Sequence, residues 1–292
     1  MKVFAHRGAS ARWPEHTRAA VLQAVTDGAD GIECDVRLTA DDHLVCWHDA
    51  TLERTSNGRG SVRSRTLAQL RDLDVVSWHG GPRIPDELGG PRDQVLSLED
   101  LLDLVAQAGR PVDLAIEFKH PVPYRFAAED AALAVLADRG WDPATGALGD
   151  GHVSLMSFHP GAVRHLGRQV GARATMSLLE TPAAAVEHPG GVPATRAVKA
   201  AWVRRVTKQS ADLITSGEVG GAGPGVDYVA AHPERVRTWV EAGRLVRVWC
   251  VDTAEDLASV LAVGAQEVTT NWPARVLEML DGATPTDEEP RS

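Results

Sequence analysis

Eight short β-rich runs alternate with helical patterns along most of this chain, the order that βα units around a parallel sheet produce. The runs are Val3 to His6, Gly31 to Leu38, Val112 to Lys119, His152 to Phe158, Ala172 to Leu179, Ala211 to Thr215, Leu245 to Val251 and Glu267 to Asn271. Helix ends are legible between them: Ser97 with Asp100 three residues on and Gly109 as a stop, then Thr253 with Asp256 and Gly264. Eight such units predict a closed TIM (β/α)8 barrel. The 292 residues suit one barrel of this kind, placed at residues 1–281, while the acidic, proline-containing stretch 282–292 reads as a disordered tail.

One apolar run breaks the alternation. His43 to Trp47 is separated from the second strand by only Thr39-Ala40-Asp41-Asp42, too little chain for a parallel crossover, so it returns antiparallel as a hairpin. Folding about residues 40 and 41 would place His48 opposite Glu33. The polar, turn-rich stretch 50–96 that follows contains Asn57-Gly58 and Gly80-Gly81-Pro82 and a single helical pattern, Thr66 to Leu73. It reads as a small insertion over the barrel mouth. Ser216 to Gly225 lacks the ending of a phosphate loop and reads as a flexible connection.

Composition narrows the partners. Thirty Lys and Arg against forty Asp and Glu give a net charge of -10, the wrong sign for a protein that neutralises a nucleic-acid backbone, so nucleic acid is excluded as a partner. An anionic substrate would need positive charge supplied locally. No stretch of 18 apolar residues occurs, which predicts no integral membrane segment. Cys34, Cys46 and Cys250 are odd in number and in no metal-binding spacing, as a reducing cytoplasm would allow. Val3-Phe4-Ala5 follows Met1 almost at once, so no secretory signal is expected.

In Gly31-Ile-Glu-Cys-Asp-Val-Arg-Leu38 the apolar side chains share one parity and Glu33, Asp35 and Arg37 share the other. Barrel strands are covered on both faces, so inward carboxylates repel one another and lose hydration unless a cation lies between them. A solvated acidic face would explain one such strand taken alone. The third run repeats the pattern, with Glu117 and Lys119 alternating with Leu114, Ile116 and Phe118 at the end where barrel active sites form. Glu33, Asp35 and Glu117 thus offer three oxygen ligands to a hard divalent metal, and Lys119 could meet an anion bound there or simply pair with Glu117. The first strand ends in His6-Arg7-Gly8, and the hairpin carries His48 to the same rim. Two histidines, an Arg/Lys pair and a metal suit in-line displacement at phosphorus. His79, His120, His159 and His232 read as loop or capping residues.

His6-Arg7-Gly8, Pro14-Glu15-His16-Thr17, Glu33-Cys34-Asp35, His48-Asp49 and Glu117-Phe118-Lys119 occur in the order found in the glycerophosphodiester phosphodiesterase family, which the chain resembles over nearly its whole length. Ser157-Phe158, Val248 to Asp252 and Thr270 to Pro273 look like that family's later barrel motifs. The resemblance implies a TIM barrel and one divalent metal, Ca²⁺ or Mg²⁺, on Glu33, Asp35 and Glu117. It implies acid/base roles for His6 and His48, phosphate contacts from Arg7 and Lys119, and a pocket lined by Phe158 and Trp249. The implied reaction is hydrolysis of a small-molecule glycerophosphodiester to sn-glycerol 3-phosphate and an alcohol. Three positions depart from the family pattern: His16 and Asp252 stand where Asn is usual, and Asn271 where Asp is usual. A lysophospholipase D-like activity on a longer lipid and a non-catalytic phosphate binder are the alternatives. The first would need an apolar channel at the mouth; the second has no use for two histidines.

Overall fold

The computed structural model describes residues 1–120, 122–183 and 196–282. Its strands are β1 (Lys2–His6), β2 (Gly31–Leu38), β3 (Leu44–Cys46), β4 (Asp113–Phe118), β5 (Ala147–Leu148), β6 (Gly151–Ser157), β7 (Thr175–Leu179), β8 (Gly221–Pro224), β9 (Leu245–Val248) and β10 (Glu267–Thr270). Eight run parallel in the order β1-β10-β9-β8-β7-β6-β4-β2, and pairing of β1 with β2 closes the barrel. β5 is a short antiparallel addition to β6. Apart from Gly282, the tail expected over 282–292 falls outside the described residues.

Strand alternation divides the interior into two regions. Ile32, Cys34, Val36 and Leu38 of β2 join Leu114, Ile116 and Phe118 of β4 in the layer between barrel and helices. The opposite parity faces the barrel lumen, where Phe4, Ala115, Met156, Met176 and Leu178 pack together. Below the mouth, Arg247 pairs with buried Glu267 at 2.6 Å and stacks 3.7 Å over the Phe4 ring. Gly31 belongs to this lumen face. A Cβ there would lie 2.3 Å from Phe4 Cε1, so a side chain at position 31 and the Phe4 ring cannot share the lumen unchanged.

Seven of the eight expected barrel strands fall where alternation puts them, within a few residues. The eighth differs: Ala211 to Thr215 lies in the last turns of the helix Arg196–Ser216, with Ala211, Leu213 and Ile214 buried against the barrel. A five-residue apolar run fits a buried helix end as well as a strand. The true strand is β8, Gly-Ala-Gly-Pro, inside the stretch expected to be a flexible connection. Its glycines occupy lumen positions already filled from β7: a Cβ on Gly221 would lie 2.8 Å from Met176 Cε, and one on Gly223 2.4 Å from Leu178 Cδ2. Bulk is supplied by the neighbour, which removes the β signal from the strand itself.

Helix caps follow the sequence reading. Ser97 and Thr253 each accept the backbone N–H three residues on, and Asp100 and Asp256 complete reciprocal capping boxes. The hairpin forms with a register one residue different from that expected: Val36 pairs with Cys46 and Arg37 with Val45. The insertion also has a core of its own. Leu52, Val62, Leu67, Leu70, Val75 and Val95 pack on Val45 and Trp47 of the hairpin, and its helix Leu67–Arg71 starts at a capping box on Thr66. A further contact joins Ile84 to Trp13, Ala19 and Ala20 at the start of the first helix. Among the described residues no helix is long and apolar enough to cross a membrane.

Candidate active site

Sheet register assembles the carboxylates. β2 is flanked by β1 as far as Glu33, which pairs with His6, and by β4 on its other edge, where Asp35 pairs with Glu117. Past Glu33 the place of β1 is taken by β3, beginning at Val36. All three acids are buried, and one oxygen of each lies within 4.8 Å of the others.

Arg7 leaves β1 in the left-handed region, with φ of 58°, as does His16 with φ of 61°. Such a backbone costs a residue with a side chain roughly 1–2 kcal/mol. The two conformations are tied together by the His16 N–H donating to the Arg7 carbonyl at 3.0 Å. The strained turn sends the Arg7 guanidinium over the acids, its Nε 3.0 Å from Asp35 Oδ2 and Nη1 3.0 Å from Glu15 Oε1. His16 approaches the same Asp35 oxygen at 2.9 Å. From the other side, Lys119 Nζ lies 2.7 Å from Asp35 Oδ1 and 2.5 Å from Glu117 Oε1. Both oxygens are buried and share that one ammonium as their cationic partner. Buried acceptors of this kind, in a cluster of three hard oxygen donors, fit a hard divalent cation.

Electrostatics agree with that fit. Burial, and then the charges of Asp35 and Glu117, push the Glu33 carboxyl well above its ordinary range. Burial likewise pushes Glu117 up to about 7, against the pull of Lys119. Burial opposes ionisation of Asp35 as well, but the Lys119 and Arg7 charges outweigh it and hold that group well below the usual range. Two of three acids thus resist ionisation until more positive charge arrives.

His6 lies at the rim, its Nε2 3.9 Å from Glu33 Oε2 and its Nδ1 2.8 Å from Asn271 Oδ1. His48 reaches the same rim by another route than the expected register. Trp47 makes the last ladder contact with Asp35, the chain then turns, and Arg37 clamps the His48 carbonyl through Nε at 2.9 Å and Nη2 at 2.6 Å. His48 Nδ1 donates to Asp49 Oδ1 at 2.6 Å. Burial, then the Arg7 charge, lowers the His6 pKa to about 3; burial, then Lys119, lowers that of His48 to about 4. Both imidazoles are therefore neutral at pH 7. Phe158 and Trp249 stand edge to face at 5.5 Å above the lumen cluster.

Two residues here had no assigned part in the sequence reading. Glu15 anchors Arg7 and also takes both Nη atoms of Arg54, at 2.8 and 2.7 Å, while Arg54 Nε reaches Asp49 Oδ2 at 2.8 Å. Arg54 thereby links the insertion to supports of both Arg7 and His48. Pro14-Glu15-His16-Thr17 was the signal for Glu15, whereas nothing local marked Arg54. Two of the histidines read as loop or capping residues have structural partners: His159 caps the helix Pro160–Val170 through Nδ1, and His120 pairs with buried Glu129 at 2.6 Å.

The model of the glycerophosphoryl diester phosphodiesterase family matches residues 6–275. The chain belongs to that family. Hydrolysis of glycerophosphodiesters is thereby its reaction class, and the enzyme is a phosphoric diester hydrolase. It is 38% identical over 279 residues to a Mycobacterium tuberculosis protein named "Probable glycerophosphodiester phosphodiesterase 1", covering 96% of this chain and 92% of that one. It is 29% identical over 273 residues to the glycerophosphodiester phosphodiesterase of Bacillus subtilis, covering 92% and 83%. Among solved structures it superposes with a TM-score of 0.73 on an Oleispira antarctica phosphodiesterase in complex with the product sn-glycerol-3-phosphate, at 22% identity over 96% of this chain and 97% of that chain. A glycerophosphodiester phosphodiesterase from Parabacteroides distasonis superposes at 0.68, with 20% identity over 96% and 97%. The glycerophosphoryl diester phosphodiesterase barrel is the fold they share.

Proposed function

We propose that the protein is a divalent-metal-dependent hydrolase that releases sn-glycerol 3-phosphate and an alcohol from small glycerophosphodiesters. The observation that carries this reading is the cluster of Glu33, Asp35 and Glu117 under a ring formed by His6, Arg7, His48 and Lys119. The three acids would hold one Ca²⁺ or Mg²⁺, which when bound polarises the phosphoryl oxygens and offsets the charge that builds there. With a divalent cation in place, three carboxylates, Arg7 and Lys119 leave one net positive charge, which a monoanionic phosphodiester cancels. That local balance is what an enzyme with a net charge of -10 needs to accept an anion.

Arg7 and Lys119 hold phosphate oxygens, and both are pre-positioned by contacts with Asp35. His6 and His48 act at Nε2: one draws a proton from the attacking oxygen, and the other protonates the departing alcohol after taking up a proton there itself, in the imidazolium form that an adjacent phosphate anion favours. Their Nδ1 atoms are already committed, to Asn271 and Asp49. Phe158 and Trp249 form the apolar wall against which the substrate carbon chain lies. The product assignment is supported by the Oleispira antarctica neighbour, whose complex holds sn-glycerol-3-phosphate. Three free cysteines suit the cytoplasm as the place of action.

The test is a panel of glycerophosphodiesters bearing choline, ethanolamine or glycerol, with the products identified. Release of sn-glycerol 3-phosphate from the panel is expected. Release of free glycerol with a phosphorylated alcohol would reverse the assigned bond cleavage, and turnover of lysophospholipids alone would replace the substrate class.

A further inference from the structure

Behind His6, on the side away from Glu33, runs a chain of hydrogen bonds whose direction is set from its far end. Asp252 receives the Thr270 hydroxyl at 2.8 Å, the Asn271 backbone N–H at 2.9 Å and the Asn271 side-chain amide at 2.6 Å. Thr270 Oγ1 accepts from the Trp272 N–H at 3.0 Å, which leaves its own proton for Asp252. A carboxylate can only accept. Asn271 must therefore present Nδ2 to Asp252 Oδ2, and this turns its Oδ1 toward His6 Nδ1 at 2.8 Å. An amide oxygen also only accepts, and this one takes the Ser10 hydroxyl at 2.8 Å as well. His6 Nδ1 must then carry the ring proton, and Nε2 keeps its lone pair on the side of Glu33. Cys250 Sγ, 3.4 Å from Nδ1, is a weak acceptor for the same N–H and does not oppose the assignment.

We propose that Asp252 and Asn271 are positioning residues for the hydrolysis, acting as a relay that selects the Nδ1–H tautomer of His6 and fixes the plane of its ring. Neither residue has to touch the substrate. A histidine free in water favours the opposite tautomer, so without the relay the proton would sit at the nitrogen that faces the carboxylates. The order of the relay matters. Carboxylate, amide and imidazole form a one-way chain, whereas an amide at position 252 would keep its oxygen on the Thr270 hydroxyl and the Asn271 N–H, offer its Nδ2 to Asn271, and so turn the Asn271 Nδ2 toward His6 Nδ1. The proposal rests on the reading of His6 as a proton-transfer residue, and its test includes a measurement that does not depend on turnover.

The experiment uses the full chain labelled with 15N-histidine, held in chelator at about pH 8, where histidines at or below their ordinary pKa are neutral. Two-bond 1H–15N correlation then reports which ring nitrogen is protonated, with the His6 signals assigned by their loss in His6→Ala. Wild type should show a protonated Nδ1 and an unprotonated Nε2. In Asp252→Asn the His6 signals should shift toward the tautomer protonated at Nε2, while kcat falls by about 10- to 100-fold and KM stays within about twofold. The exchanged pair Asp252→Asn with Asn271→Asp restores a one-way chain, and should restore both the single tautomer and most of kcat. That rescue separates positioning from folding, since a pair that merely stapled the two loops would change thermal stability and leave the tautomer alone. A protonated Nε2 in the wild type, or an unchanged tautomer in Asp252→Asn, would overturn the relay. If those NMR results hold but His6→Ala keeps wild-type kcat, the relay would have no catalytic meaning, and the failure would lie in the role given to His6.

Discussion

At the scale of single residues, proton transfer and binding fall to different side chains. Replacing His6 or His48 by Ala should lower kcat by roughly 10²–10⁴-fold with divalent-cation affinity retained, whereas Arg7→Ala and Lys119→Ala should also raise KM. A p-nitrophenyl phosphodiester leaves without help from an acid, so whichever histidine variant recovers on it alone has lost the proton donor. Near wild-type kcat in both variants on natural substrates would remove histidine proton transfer from the reaction. The acids make a second prediction, about pH. Glu117, raised from 4.5 to about 7 by burial, binds its proton more tightly folded than unfolded, so its stabilisation is full below about 4.5 and lost as pH rises through about 7. Glu33 is shifted the same way. His6 and His48 work oppositely, because their lowered values of about 3 and about 4 cost stability only as pH falls below 6.5. From pH 6.5 to about 8 the acids act alone, so in chelator Tm should fall across that window. Glu117→Gln, or saturating divalent cation, should flatten the decline. A Tm that rises with pH in chelator would contradict the buried-acid account. The acids and Lys119 were legible because they alternate with apolar residues at strand ends, and His6, Arg7 and His48 because each follows a short apolar run. Arg54 was not: its partner Glu15 lies 39 residues away, and only the fold of the insertion brings them together.

At the scale of elements, the insertion is a folded unit seated on the hairpin, and its core can be weakened apart from the barrel. Leu70 is fully buried there, and Leu70→Ala should cost about 2–5 kcal/mol within that unit. Limited proteolysis should then cut between residues 50 and 96 first, and the ranking of alcohol head groups should change more than cation affinity does. An unchanged ranking in a variant nicked there would show that the insertion does not border the leaving alcohol. Within the barrel, Gly31→Ala should destabilise by roughly 1–3 kcal/mol through the Phe4 ring, and Phe4→Leu should recover part of the loss, as urea unfolding of the single and double variants would reveal. Equal losses with Phe4 and Leu would mean that the ring is not the obstacle. The same close packing explains which elements the sequence concealed. β8 carries two glycines because Met176 and Leu178 fill the lumen beside it, so its identity resides in β7. Ala211 to Thr215 imitated a strand because the buried stripe of a helix and a short strand look alike over five residues. The hairpin register depended on the turn at Thr39 to His43, whose Thr39–His43 contacts shift the pairing by one residue.

At the scale of the whole molecule, a barrel with net charge -10 concentrates positive charge at one rim and buries three acids beneath it. The fold places β1, β2, the hairpin and β4 side by side, so motifs spread from His6 to Lys119 meet at one end of the sheet. Everything proposed for the rim depends on a cation joining those acids. The most direct measurement is hydrolysis of a glycerophosphodiester by the wild-type enzyme and by Glu33→Gln, Asp35→Asn and Glu117→Gln, in excess EDTA and after adding back Mg²⁺ or Ca²⁺, with cation binding followed by calorimetry on the same samples. EDTA should abolish wild-type turnover, one of the two cations should restore it with one ion bound per chain, and each variant should lose both binding and turnover. Undiminished turnover in EDTA, or full cation binding by the three variants, would contradict the metal assignment.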